Sequence, residues 1–119
     1  MEWNLDKSRP IRPQICEKLS AGIAAGEFAP GARLMSVREA ALAAGVNPNT
    51  VQKSFEELER RGVIYSVRGS GWFVSEDTSQ AASDVEKLIN EKTASYFDDM
   101  ARLGMSPGET KKYVEEWKI

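Results

Sequence analysis

The sequence predicts a mainly α-helical chain that carries one small β-hairpin, and three observations lead there. Two helix-start signals, Ser36-Val37-Arg38-Glu39 and Asn47-Pro48, follow each other across a short break containing Gly45. Two runs rich in β-branched and aromatic residues then flank the glycine cluster at 68–71. Further on, a one-sided apolar stripe covers 81–103 and stops at Gly104.

Each element has its own reason. Trp3-Asn4-Leu5 is short and alternating, and reads as an edge strand or an ordered arm. Ile11, Ile15, Leu19 and Ile23 recur every four residues, which is one face of a helix over about 10–25. Pro10 and Pro13 fall in its first turn, where a missing N–H matters little. Gly26 is placed to end it, and Pro30-Gly31 reads as a turn. Ser36 and Glu39 fit a capping box that opens a helix over 37–44, which Gly45 ends. Asn47 as N-cap and Pro48 at the first helical position open the next, which runs to Arg61 with Val51, Phe55 and Leu58 on one face; Gly62 closes it. Two short helices joined around a glycine form a helix-turn-helix.

Val63–Val67 and Trp72–Val74 read as strands, and Arg68-Gly69-Ser70-Gly71 supplies the glycines that a tight hairpin needs. Arg33-Leu34 could add a third strand. A helix-turn-helix followed at once by a hairpin is a winged helix-turn-helix. The polar stretch 75–83 is a linker or a frayed helix start. The helix over 81–103 places Val85, Leu88, Ile89, Tyr96, Met100 and Leu103 on one stripe. Ser106 and Glu109 then fit a second capping box, opening a helix that carries Tyr113, Val114 and Trp117. The expected organisation is a winged helix-turn-helix at 1–75 and a helical tail at 76–119.

Composition narrows the function classes. The 119 residues are 41% hydrophobic and 29% charged, which suits one modest core and neither disorder nor a membrane protein. No stretch approaches the roughly 18–20 apolar residues of a bilayer crossing. The first residues have neither a basic nor an apolar signal region, and a single cysteine, Cys16, fits a reducing compartment, so a cytoplasmic protein is expected. The chain has no His, so the usual zinc sites and catalytic triads cannot be assembled; no cofactor and no metal are expected. The net charge of −2 divides unevenly. Residues 1–75 hold ten Lys/Arg against eight Asp/Glu, whereas 76–119 hold six against ten. A basic face on the first part needs only local clustering.

The stretch from Gly31 to Val74 resembles the DNA-binding domain of the GntR family of bacterial regulators. The resemblance is carried by Pro30-Gly31-Ala32-Arg33-Leu34-Met35-Ser36-Val37-Arg38-Glu39, Gly45-Val46-Asn47-Pro48-Asn49-Thr50-Val51, Leu58-Glu59-Arg60-Arg61-Gly62 and Gly69-Ser70-Gly71-Trp72-Phe73-Val74. Four motifs in order and at the right spacing make the match specific. The short tail and the Asn-Pro-Asn-Thr helix start look like the YtrA-type branch. The resemblance implies a transcription regulator whose third helix enters the major groove of operator DNA while the wing touches the minor groove or backbone. It makes Arg38 the base reader, since an Arg fork can pair with guanine O6 and N7.

Arg33, Ser36, Asn47, Asn49, Thr50, Gln52 and Lys53 join Arg38 as candidate contacts. Asn and Gln suit adenine edges, and Thr and Lys suit phosphates. Asn47 has a competing duty as N-cap. Pro48 stands where the wider family often has a polar residue, which removes one contact; Met35 replaces a usual Pro and alters only a turn. On the wing, Gly71 and Ser70 would let the backbone approach DNA, with Arg68 beside a phosphate. Arg60-Arg61 reads instead as favourable charge at a helix C-terminus.

The stripe of the long helix lacks partners in its own chain, and large apolar patches mark interfaces. Val85, Leu88, Ile89, Tyr96, Met100, Leu103 and Trp117 are therefore expected to form a homodimer interface. A two-fold dimer would present two recognition helices to a palindromic operator, and as a repressor would block transcription initiation. The implied partners are double-stranded operator DNA, a second copy, and a small-molecule effector in the dimer cleft or between tail and DNA-binding domain; no membrane is expected. Trp72, Phe73, Tyr113 and Trp117 could line a pocket, but at strand and helix spacing they read as core aromatics. Two rival classes remain: a winged helix that binds protein rather than DNA, and a small enzyme, for which the residues bring no titratable cluster together.

Overall fold

The computed structural model describes residues 1–119 and orders seven elements: α1 (Ile11–Ala24), α2 (Val37–Ala44), α3 (Pro48–Arg60), β1 (Ile64–Val67), β2 (Gly71–Val74), α4 (Ser79–Arg102) and α5 (Pro107–Glu115). The chain divides into two compact units, Met1–Val85 and Glu86–Ile119.

In the first unit α3 is the central element, packing on α1, α2 and β1. Its apolar face supplies Val51, Phe55 and Leu58, all fully buried, against Ile15, Leu19 and Ile23 of α1. Both starts of the helix-turn-helix are built as their sequences dictate. Ser36 accepts from the Glu39 amide at 3.0 Å while Glu39 accepts from the Ser36 amide at 3.0 Å, a complete capping box. Asn47 accepts from the Asn49 amide at 2.8 Å. Gly45 ends α2 with a left-handed φ of 68°.

The hairpin is antiparallel, with Ile64 opposite Val74 and Val67 opposite Gly71. Residues 31–34 extend it. The amide of Leu34 donates to the Trp72 carbonyl at 2.8 Å, Gly31 to Val74 at 2.9 Å, and Val74 to Ala32 at 2.9 Å. Arg33 thereby bridges to Phe73, so the third strand is a single isolated bridge rather than a full strand. Trp72 meets Phe55 of α3 edge to face at 5.5 Å, joining the hairpin to α3 through aromatic packing.

The N-terminal residues form an arm rather than an edge strand. Trp3 is buried in the core, and Gln14 clamps the arm: it accepts from the Asp6 amide at 2.8 Å and donates to the Asp6 and Pro10 carbonyls at 2.8 and 2.9 Å. Lys7 donates to the Gly45 carbonyl at 2.7 Å, between α2 and α3. The polar stretch after the wing is helical from Ser79 onward, and Ala81 belongs to the core of the first unit. Asp84, also on α4, lies 3.1 Å from Arg61.

The second unit holds the rest of α4 and α5. The second capping box is complete, with Ser106 and Glu109 exchanging bonds of 3.0 and 3.2 Å. Thr110 is fully buried and donates its hydroxyl to the Ser106 carbonyl at 3.0 Å. A notch of about 900 Å³ opens between α4 and α5, lined by Tyr96, Phe97, Tyr113 and Trp117 among others. The expectation of core aromatics is corrected here. Tyr113 and Trp117 are 49% and 61% exposed, because two helices offer no third layer to cover them, whereas Trp72 and Phe73 are half-buried.

Candidate nucleic-acid interface

A concavity of about 330 Å³ lies where the start of α2, the face of α3 and the wing converge. Its lining includes Arg33, Ser36, Arg38, Gln52 and Gly71 together with Trp72. Five residues singled out in the sequence thus come from four segments to one place. The capping box fixes the first turn of α2, so Ser36 and Arg38 leave it in set directions. Gln52 projects from the second turn of α3, and its amide donates to Glu56 at 3.3 Å. Arg33 reaches the hairpin through the pairing of 31–34 with β2. A Cβ placed on Gly71 would lie 3.5 Å from the Arg33 guanidinium.

The electrostatics favour an anionic partner. Arg33, Arg38, Lys53 and Arg68 are exposed and make no ion pair, whereas Arg61 is held by Glu57 and Asp84. Unpaired surface cations keep their full charge available to phosphates. The one carboxylate in the concavity is Glu39. The Ser36 amide bonded to its carboxylate, then the neighbouring Ser36 side chain, with Arg33 as a smaller contribution, hold it below the usual glutamate range. It stays ionised there, so its one negative charge is set against the two arginines, Arg33 and Arg38, that share the concavity.

Not every predicted residue joins the concavity. Asn49 and Lys53 are exposed on α3 outside it, and Thr50 is half-buried there. Asn47 spends its side-chain oxygen on the N-cap bond, leaving only its amide nitrogen free. Arg68 and Ser70 sit at the exposed wing tip, where the Ser70 amide donates to the Val67 carbonyl at 2.9 Å. Gly69 and Gly71 take φ of 82° and 111°, which side chains rarely adopt.

Sequence reasoning missed Glu59. Its carboxylate accepts from both the amide and the hydroxyl of Ser66 on β1, at 2.9 and 2.7 Å. No local pattern announces a helix-to-strand contact of this kind. Cys16 needs no functional reading. It is buried, donates its S–H to Glu57 at 3.2 Å, and burial followed by Glu57 pushes its pKa up to about 12.

Comparison with known proteins identifies the family. Residues 12–74 match the family described as bacterial regulatory proteins, gntR family. The chain is 33% identical over 110 residues to the HTH-type transcriptional repressor YtrA of Bacillus subtilis, across 92% of this chain and 85% of that protein. The solved structure of a GntR family transcriptional regulator from Listeria monocytogenes superposes with a TM-score of 0.84 at 32% identity, covering 96% of this chain and all of that one. The DNA-binding domain of AraR, solved in complex with its operator ORX1, matches 63% of this chain and 92% of its own at 29% identity, with a TM-score of 0.55. These relatives are transcription regulators rather than enzymes, and no helix here is long and apolar enough to cross a membrane. With a winged helix-turn-helix, an open basic concavity and a family match over more than half its length, the chain belongs to the GntR family of bacterial regulators and is a DNA-binding transcription regulator.

Proposed function

We propose that the chain works in the cytoplasm as a homodimeric repressor of the YtrA type that binds a palindromic operator. The observation that carries the DNA-contacting part is the convergence of Arg33, Ser36, Arg38, Gln52 and Gly71 on one concavity whose arginines are unpaired. In this reading Arg38 pairs with a guanine edge in the major groove, and Gln52 reads an adjacent base. Asn49 also reads a base edge, Thr50 and Lys53 hold the phosphates, and Asn47 contributes through its free amide nitrogen. Arg33 and the wing tip, with Arg68, Ser70 and Gly71, follow the backbone or minor groove.

Dimerisation is assigned to the tail. Ile89, Leu103 and Trp117 are 57%, 79% and 61% exposed, and Tyr96 is exposed as well. Val85, Leu88 and Met100 are half-buried beside them on α4. A second copy covering these residues would remove an apolar face from water and relate two recognition helices by a two-fold axis. The half-sites would then lie about 34 Å apart. A small-molecule effector acting on this dimer would alter the spacing and so the fit to the operator.

The test is a gel shift on the promoter fragment upstream of the chain's own gene, at two salt concentrations, beside Arg38→Ala. The wild type should bind specifically and weaken steeply with salt as counterions are released. Arg38→Ala should lose roughly 1–3 kcal/mol and relax base preference. Equal, non-specific binding by both proteins would overturn the base-reading role. Binding to no DNA, with salt-insensitive capture of a protein partner, would favour the protein-binding alternative.

A further inference from the structure

We infer that Glu59 is a positioning residue for operator recognition, holding the wing at a fixed angle to the recognition helix. The inference rests on the DNA-binding geometry proposed above and adds to it a residue that contacts no base or phosphate. Glu59 lies in the last turn of α3, half-buried, one helical turn beyond Phe55. Its carboxylate receives two bonds from one residue of β1, the Ser66 amide at 2.9 Å and the Ser66 hydroxyl at 2.7 Å. These are the only side-chain hydrogen bonds between α3 and the hairpin.

The rest of the hairpin explains why such a tie matters. Strand β2 is secured on both sides, by 31–34 through backbone bonds and by Trp72 against Phe55. Strand β1 pairs with β2 along its length and Tyr65 stacks on Phe73 at 5.6 Å, but beyond the buried Ile64 its outer edge, with Ser66, has no strand beside it. The Ser66 amide points away from β2, toward α3, so without Glu59 it would face solvent. The wing tip at Arg68–Ser70 is the next segment along the chain. The tip of so small a hairpin, beyond the reach of 31–34, is easily twisted, and a charged acceptor bonded twice to one residue resists that twist more than a neutral single bond would. Of the two arginines that follow it, Arg61 is taken by Glu57 and Asp84, and Arg60 makes no ion pair.

The experiment uses operator DNA selected from a random library by the wild-type protein. Hydroxyl-radical footprints and affinities are compared for wild type, Glu59→Ala, Glu59→Gln, Ser66→Ala and Arg38→Ala. Glu59→Ala should weaken binding about tenfold and lose backbone protection where the wing lies, while the base preference set by Arg38 is kept. Glu59→Gln retains an acceptor oxygen and should recover most of the protection. In an Arg68→Ala background the Glu59→Ala effect should shrink, because the two act through the same contact. A Glu59→Ala footprint identical to wild type, or loss spread evenly over wing and base positions and not recovered by Glu59→Gln, would overturn the inference alone. A wild-type protein that selects no sequence would overturn the DNA reading beneath it, and amide exchange at Ser66 in the free protein would then test the tie itself. Unchanged exchange in Glu59→Ala would remove it.

Discussion

At Gly71 backbone conformation and side-chain chemistry meet. Its φ of 111° lies where a β-branched residue is strained, and the Arg33 guanidinium occupies the space beside it. Gly71→Val is expected to destabilise the first unit by about 1–3 kcal/mol and to displace Arg33 from the wing. Thermal melts together with operator affinity would check both, and a variant with wild-type values of each would mean the turn relaxes freely. Cys16 makes the opposite case, a residue whose chemistry is switched off by its place. With its pKa raised from 9.0 to about 12, the folded thiol stays protonated where an unfolded one ionises. The folded state therefore binds more protons between those two values. The stability this contributes is complete below pH 9 and falls as pH rises toward 12. Alkylation by iodoacetamide at pH 8 should be slow in the native protein and fast in urea. Rapid native labelling would show that the site opens locally.

The elements differ in how openly the sequence announces them. Both capping boxes were legible because each is a bargain between residues three apart, settled by local geometry. The wing's glycines were legible because only glycine suits their φ. The arm's attachment was not: Gln14, Trp3 and Lys7 act across the core, and a single buried Gln inside a helix has no periodic signature. Nor was the fate of Tyr113 and Trp117, since an amphipathic period marks an apolar face without saying what covers it. The site divides the same way. Arg38 and Gln52 could be assigned to helix starts and faces, whereas Arg33 meets Gly71 only through strand pairing that spans the domain. The α2 capping box carries its own prediction. Ser36→Ala should remove about 1 kcal/mol and free the first turn from which Arg38 projects, so stability and operator affinity should fall together. Glu39 is held below 4.5 by the Ser36 bonds, and this contribution is present above that pH and lost on acidification through the lowered value. Amide shifts at Ser36 followed by NMR should move with Glu39 rather than with global unfolding; coincident transitions would attribute the change to the whole fold instead.

For the whole molecule, charge and packing differ between the two ends of the chain. The first 75 residues carry a slight positive excess and the open concavity, while 76–119 carry a negative excess that would repel DNA and an apolar stripe that would not. In the proposed dimer, a single small wing and helix would contact few phosphates, and two copies held together would turn the second half-site into an intramolecular encounter. Where to cut the chain follows from the core rather than from the polar linker. Ala81 is buried in the first unit and Asp84 holds Arg61, so a truncation before Ser79 would remove both along with the tail. Deleting Glu86–Ile119 leaves them in place. That variant should melt as a folded domain, sediment as a monomer, and bind a palindromic operator at least ~100-fold more weakly than the full chain, while its affinity for an isolated half-site stays unchanged. Sedimentation and gel shift on the two DNAs read all three. A truncated protein that still sediments as a dimer would move the interface into the first unit, and a monomer with undiminished operator affinity would show that the second copy adds nothing to recognition.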